Sequence, residues 1–245
     1  MDDGGGLEAG RFEVWSDAPV AGPSYRVQTS GLKRAMDVLV AFPLLVFLSP
    51  LLMAIYAAIK VFDPGPALFR QLRVGRDGQQ FMVLKFRSMR VDAEVRLAQL
   101  LEDDPVAREE WSSYQKLRKD PRVTVVGRIL RKSSLDELPQ LVNILRGEMS
   151  LIGPRPVTAA EVNRYGSAYP FYTAVRPGVL GLWQVMGRNR LTYPERVALD
   201  VRYVMNWSIW QDLRICMLAI PVVLLGHGAY SHAAARQYCR ILSSL

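Results

Sequence analysis

Histidine and cysteine are almost missing from this sequence, with two of each in 245 residues. Cys216 and Cys239 supply no disulfide framework and no cysteine metal site, and they read as buried or incidental thiols of a reducing compartment. His227 and His232 both lie near the C-terminus, which argues against a histidine-centred triad or a zinc site. Glycine-rich phosphate loops are also absent: nothing fits GxxxxGK[ST] or a dinucleotide fingerprint, so ATPase and dinucleotide readings fall away. The first 30 residues lack a basic segment followed by an apolar core, so they do not read as a signal peptide. No internal repeat is present. What remains for chemistry is carboxylates, basic groups and a hard metal bound through oxygen.

Charge is present in excess of one sign. Lysine and arginine total 31 against 23 acids, a net charge of +8. Residues 1–30 carry five acids and two arginines, so the remaining chain carries +11. Such a body suits phosphorylated substrates, anionic headgroups or nucleic acid. Arginine outnumbers lysine 25 to 6, which favours bidentate phosphate binding, although a GC-rich genome accounts for most arginines equally well. Aromatics are not interleaved with basic residues in any strand of the RNP type, which argues against nucleic acid as a partner.

The length suits one catalytic domain with a sizeable core, or one domain plus a membrane segment. Residues 1–30, acidic and rich in Gly and Pro, read as a disordered tail. Residues 38–59, "VLVAFPLLVFLSPLLMAIYAAI", form 22 uncharged residues, long enough to cross a bilayer. Pro43 and Pro50 interrupt them. Pro50 leaves the Val46 carbonyl without its helical donor, and Ser49 can satisfy the freed group. Lys33 and Arg34 precede the run and Lys60 follows it, so positive charge flanks both ends. A helix bent at Ser49–Pro50, with arms of roughly 16–18 Å, keeps both ends on the cytoplasmic side. A proline-kinked transmembrane helix is the alternative, and the segment alone does not choose between them.

Residues 67–89 predict a β-hairpin turning at Asp77–Gly78, with its second strand ending at Lys85–Phe86–Arg87. Residues 92–118 predict one or two amphipathic helices divided at Pro105. Met217–Gly226, ten apolar residues containing Pro221, are too few to span a bilayer and predict an interfacial or core helix.

The chemistry centres on "SSLDELPQL", residues 133–141. Asp136 and Glu137 are adjacent, so on a helix they point about 100° apart and cannot face each other across a substrate. Three readings stay open: a shared metal, two divided tasks, or simple capping. Ser134 and Glu137 fit a capping box, with Ser134 as N-cap, and Asp136 then falls in a first turn that favours the anion. Pro139 complicates that box by removing a donor. Leu138, Leu141, Val142 and Leu145 form the buried stripe of the helix that follows. Lys85, Arg87, Arg131, Arg155 and Arg188 each sit at an element end or beside Gly or Pro, where they can neutralise charge on a phosphoanhydride. Each is equally readable as a surface charge or a carboxylate partner.

Taken in order, "KRAMDVLVAFPLLVFLSPLL", "KFRSM", "LRKSSLDELPQLVNILRGEMSLIGPRP", "PGVLGLWQVMGRN" and "LDVRYVMNWSIWQDLRI" resemble the bacterial sugar transferases, monotopic phosphoglycosyl transferases. The resemblance covers roughly residues 31–230. It implies a mostly helical α+β fold: a re-entrant membrane helix at 31–62 broken at Ser49–Pro50, a catalytic domain at 63–230 with a small β-hairpin and interfacial amphipathic helices, and a tail at 231–245. It implies transfer of hexose 1-phosphate from a UDP-sugar to undecaprenyl phosphate at the cytoplasmic face of the bacterial inner membrane, with UMP released. By the same match Asp136 is the nucleophile that forms a covalent phosphosugar intermediate, and Glu137 helps hold Mg2+. Lys85, Arg87, Arg131, Arg155 and Arg188 match the family's phosphate and substrate contacts. A homodimer is left open.

Some positions depart from the family pattern. Glu148 stands where aspartate is usual, Leu180 replaces a common Thr, and Met186 replaces a commonly polar residue. The resemblance is closest to the exopolysaccharide-initiating branch, without the extra membrane helices and accessory domain of longer members. Two rivals accompany this reading: a Mg2+-dependent diphosphatase of sugar nucleotides, and a non-enzymatic membrane scaffold.

Overall fold

The computed structural model describes residues 31–114, 117, 120–186 and 191–225. The tails expected at 1–30 and 231–245, with Arg188, His227, His232 and Cys239, lie outside the described residues. The fold is mostly helical α+β, with two small two-stranded sheets.

The apolar run lies inside α1 (Gly31–Phe62), a helix of 32 residues that contains both Pro43 and Pro50. It is the single described helix long and apolar enough to cross a membrane. The Ser49 hydroxyl donates to the Val46 carbonyl at 2.7 Å, replacing the donor that Pro50 lacks. Both halves of α1 pack on the body. Ala41, Leu44 and Leu45 join Val83, Leu141, Ile144 and Met149 in one apolar cluster. Leu52, Ile55 and Ile59 join Ala67, Phe86 and Leu130 in another. Between them Val46, Phe47, Leu51 and Met53 are exposed, Phe47 by 79%.

A buried polar knot fixes the start of α1. Lys33 Nζ lies 2.8 Å from Asp212 Oδ2 and 3.4 Å from Asp37 Oδ1. Asp37 Oδ1 also accepts from Ser150 Oγ and the Leu151 N–H, each at 3.0 Å. Asp212 accepts from the Tyr203 hydroxyl at 2.8 Å and from Trp207 Nε1 at 3.1 Å. Burying these charges is tolerable because each is paired and hydrogen-bonded.

The hairpin forms as the alternating pattern predicts. Strands β1 (Leu68–Val74) and β2 (Gln80–Phe86) pair antiparallel, from Leu68 opposite Phe86 to Val74 opposite Gln80. Asp77 and Gly78 turn it at φ 56° and 73°, a region that Asp tolerates and Gly favours. Pro105 divides the next segment into α2 (Ala93–Asp103) and α3 (Pro105–Tyr114). Asp104 Oδ1 caps α3 by accepting from the N–H groups of Val106 and Ala107.

Helix α4 (Val125–Ser133) is capped by Thr124, whose hydroxyl accepts from the Gly127 N–H at 2.8 Å. A 3-10 turn, Leu135–Glu137, leads into α5 (Gln140–Arg146). Strands β3 (Ser150–Ile152) and β4 (Gly178–Leu180) then pair in parallel, joined through α6 (Ala159–Val162) and α7 (Tyr169–Thr173). A Cβ on Gly178 would stand 2.1 Å from the Gly153 nitrogen, so the two backbones touch only because neither residue has a side chain. Helices α8 (Leu182–Met186), α9 (Tyr193–Met205) and α10 (Ile209–Leu225) close the largest apolar cluster around Tyr203, Val204 and Ile215. As far as Leu225, the last described residue, the C-terminal apolar run thus belongs to a longer helix whose first turn carries the buried Asp212.

The expected capping box at Ser134 does not form. Ser134 adopts the left-handed conformation (φ 58°) as the C-cap of α4 and makes no side-chain cap. Glu137 is drawn away by two cations, whose pull outweighs one backbone N–H. Capping boxes form instead at Thr158–Glu161 and Thr192–Glu195.

Candidate active site

The site is assembled where β2 ends against the turn between α4 and α5. Asn143, fully buried on α5, holds the free edge of β2: its Oδ1 accepts from the Leu84 N–H at 3.0 Å. Its Nδ2 donates to the Met82 carbonyl at 2.8 Å and to Glu148 Oε2 at 2.6 Å. Glu148 therefore orients Asn143 through a short charge-assisted bond. Sequence reading missed Asn143, although an amide inside an apolar helix stripe signals a buried bond.

With β2 held, Lys85 reaches Glu137. Its Nζ donates to Glu137 Oε1 at 2.7 Å, and Arg155 Nη2 donates to the same oxygen at 3.2 Å. Burial alone would raise the Glu137 carboxyl, but Arg155 and Lys85 overcome it and hold the group down at about 2. Asp136 is the opposite case. Among the described residues it makes no ion pair. Burial, then the Glu137 charge, pushes its carboxyl above the ordinary aspartate range, while Lys85 and Arg131 offset part of that rise. The depression expected from a helix N-terminus is not what governs it, because Asp136 sits in a short 3-10 turn rather than a dipole-bearing first turn. Burial also lowers Lys85, against the pull of Glu137.

The arginines divide by what already holds them. Arg87 is buried and turned to Asp63, donating to its carbonyl and lying 3.3 Å from its carboxylate. Its Nε and Nη1 are buried without a hydrogen-bond partner among the described residues. Arg122 is held bidentately by Asp120 and stacks over Trp111, and Arg90 lies 3.5 Å from Asp92. Arg131 differs. Its Nε donates to Ser88 Oγ at 2.8 Å, and it has no carboxylate partner among the described residues. Anchored through Nε, it offers both Nη groups as a fork for a phosphate. Helix α4 can bring it there because Gly127, one turn before Arg131, rests on the Ser88 backbone. A Cβ on Gly127 would stand 2.0 Å from the Ser88 carbonyl oxygen. An isolated glycine inside a helical pattern is the sequence signal of such contact.

These groups line one cleft of about 1180 Å3. Lys85, Arg87, Arg131, Asp136, Glu137 and Arg155 all border it, so six of the seven polar residues singled out from sequence come together. The seventh, Arg188, lies outside the described residues. Ser49 and Pro50 sit apart, in the exposed middle of α1, whereas Tyr56 and Lys60 of its last turns reach the cleft. No group of three or more His, Cys, Asp or Glu able to hold a metal occurs among the described residues. Chemically, the cleft combines an unpaired carboxylate, an ionised carboxylate clamped by two cations, and an uncommitted guanidinium. That set suits attack on an electrophilic phosphorus.

Comparison with known proteins agrees in extent with the region just described. The sequence model of one family, bacterial sugar transferase, matches residues 28–226. The exopolysaccharide production protein ExoY of Sinorhizobium fredii is 50% identical over 198 residues, 81% of this chain and 88% of the relative. An undecaprenyl-phosphate galactose phosphotransferase of Salmonella typhimurium is 48% identical over 81% of this chain and 42% of its own length. A UDP-glucose:undecaprenyl-phosphate glucose-1-phosphate transferase of Caulobacter vibrioides is 43% identical over 85% of this chain and 76% of its own.

Proposed function

This chain belongs to the bacterial sugar transferase family, and from that membership we propose that it transfers hexose 1-phosphate, galactose or glucose, from a UDP-sugar to undecaprenyl phosphate. The products are undecaprenyl-diphospho-sugar and UMP, and the step begins exopolysaccharide assembly. The names of its relatives support the donor and acceptor classes and divide between galactose and glucose. The observation that carries the reading is the asymmetry of the acidic pair: Glu137 is clamped by Lys85 and Arg155, while adjacent Asp136 is left without an ion pair.

In this mechanism an Asp136 oxygen attacks the β-phosphorus of the donor. The bond from that phosphorus to the bridging oxygen breaks, and UMP leaves with its electron pair. A phosphate oxygen of the acceptor then attacks the same phosphorus, breaking the aspartyl bond and restoring the carboxylate. Arg131 neutralises charge on the transferring phosphate, and Lys85 and Arg155 keep Glu137 ionised and in place.

Mg2+ fits the pair in the mode in which that ion takes one or two carboxylates together with substrate phosphates. Both cation contacts of Glu137 fall on Oε1, which leaves Oε2 and Asp136 to hold the ion. When bound, it would withdraw charge from the diphosphate.

In the same reading α1 enters one leaflet and returns at Ser49–Pro50, at the cytoplasmic face of the inner membrane. Three features support this: the Ser49 bond to Val46, the exposed apolar middle of the helix, and the packing of both arms on one body. Ala41 and Ile55 are 14 residues apart, about 21 Å in a straight helix. Their clusters meet β2 at Val83 and Phe86, only about 10 Å apart along the strand.

The test is UMP release by purified protein with Mg2+, undecaprenyl phosphate and a panel of UDP-sugars, beside Asp136→Asn. Release that requires both lipid and Asp136 is expected. Release without lipid would make the protein a diphosphatase, and an Asp136→Asn variant as active as wild type would remove the nucleophile from its role.

A further inference from the structure

One row of side chains in the cleft has no part in the mechanism above. Phe69 of β1 pairs across the ladder with Lys85, and Gln71 and Arg73 follow at successive positions on the same face. Phe69 is 49% exposed, and both Phe69 and Gln71 line the cleft that contains Asp136. The row is held from behind. Glu161 Oε2 accepts from the Thr158 N–H and hydroxyl, each at 2.8 Å, and from Arg73 Nη1 at 3.1 Å. Arg73 Nη2 in turn donates to Gln71 Oε1 at 2.7 Å.

This chain of bonds determines which way the Gln71 amide points. A guanidinium can only donate, so Gln71 must give Arg73 its oxygen and turn its NH2 group away from it. Among the described residues nothing accepts from that NH2 group. The cleft therefore presents an open aromatic face beside an oriented, neutral donor. The phosphate is already served by Arg131 across the cleft. Together the aromatic face and the donor suit a flat heterocycle bearing a carbonyl. The step from Lys85 across to Phe69 and along to Gln71 covers roughly 8 Å, a span that a diphosphate and ribose can bridge.

We propose that β1 carries the subsite for the nucleobase of the donor, with Phe69 as its stacking face and the Gln71 amide reading a uracil carbonyl. The proposal rests on the reading of the donor as a UDP-sugar. Cytosine presents an amino group at the corner where uracil has its 4-carbonyl, so an oriented donor discriminates between the two. Arg73 and Glu161 are positioning residues that keep the amide from flipping.

The experiment measures binding of UMP and CMP to the detergent-solubilised full chain by calorimetry, so it needs no turnover. Wild type is expected to prefer UMP. Phe69→Ala should weaken both nucleotides about tenfold, and Gln71→Leu should abolish the preference. Gln71→Glu should shift it toward CMP, because Arg73 holds one carboxylate oxygen and the other accepts from an amino group. Melting temperatures check that each variant folds, and Phe69→Ala and Gln71→Glu stand in if the leucine variant does not. An unchanged UMP preference in folded Gln71 variants would overturn the proposal. So would variants that alter galactose-versus-glucose choice or acceptor KM at constant UMP affinity. Failure of lipid-dependent transfer by wild type would sink the transferase reading, while the UMP and CMP affinities would still decide the subsite.

Discussion

Gly127→Ala tests how closely the placement of Arg131 depends on backbone packing. In the wild-type fold the added methyl would stand 2.0 Å from the Ser88 carbonyl oxygen and 2.6 Å from its carbon. Both are backbone atoms of the segment that follows Lys85, so neither can rotate aside. Restoring an ordinary contact of 3.4 Å moves α4 by about 1.4 Å. Overpacking of this kind costs about 1–3 kcal/mol, and replacing a helical glycine by alanine returns up to about 1 kcal/mol. The net destabilisation is therefore about 0–3 kcal/mol. Catalysis should suffer more, because α4 carries Arg131 and leads directly into the Asp136 turn. A displacement of about 1 Å in a positioned group can cost about a hundredfold in rate. The assay is UMP release under saturating donor and lipid, well below the melting temperature, with thermal unfolding measured in parallel. Wild-type kcat in the variant would refute the argument, as would a rate loss wholly explained by unfolded protein.

Three further outcomes follow from the same geometry. The pH profile of kcat/KM should have an acid limb above the ordinary aspartate range, because the raised Asp136 carboxyl of the free enzyme must lose its proton before Mg2+ and donor bind. Glu137, held at about 2, contributes pairing stability that persists above the usual glutamate range and is lost only as pH falls toward 2. Activity should thus fall while the fold is intact, and a circular dichroism change that accompanies the acid limb would count against this order. The alkaline limb should lie below the ordinary lysine range, since burial lowers Lys85; these groups interact, so both limbs report the cluster as a whole. Lys33→Met strands Asp37 and Asp212 without their cation and should cost about 3–5 kcal/mol by chemical denaturation, recovered only in part by adding Asp212→Asn because Asp37 stays without its cation. A tag before residue 31 should resist periplasmic labelling in wild type and become accessible in Ser49→Ala with Pro50→Ala; accessibility in wild type would mean that α1 spans the bilayer.

Much of this molecule was legible in the linear sequence because its signals are local. Asp77–Gly78 places the hairpin turn, Pro105 divides two helices, and Ser49 follows from the donor that Pro50 removes. The ordered blocks from "KRAMD" to "WSIWQDL" identified the family, and the adjacent acids pointed to a pair that the fold places in the cleft. Local rules failed where distant residues compete for the same group. Ser134 and Glu137 satisfy a capping box on paper, but Lys85, 52 residues away, and Arg155, 18 residues away, hold the Glu137 carboxylate instead. The same long-range contacts set the protonation of the pair, because burial and neighbouring charge raise Asp136 while two cations lower Glu137. No spacing rule singles out Asn143 as the partner of the β2 edge, Gly127 as the seat of Ser88, or Gln71 as an amide oriented by Arg73. Sequence alone thus determined which elements form and which chemistry the chain carries. Tertiary structure decided which carboxylate is left without an ion pair and which arginine without a carboxylate among the described residues, since both depend on partners that only folding brings within hydrogen-bonding distance.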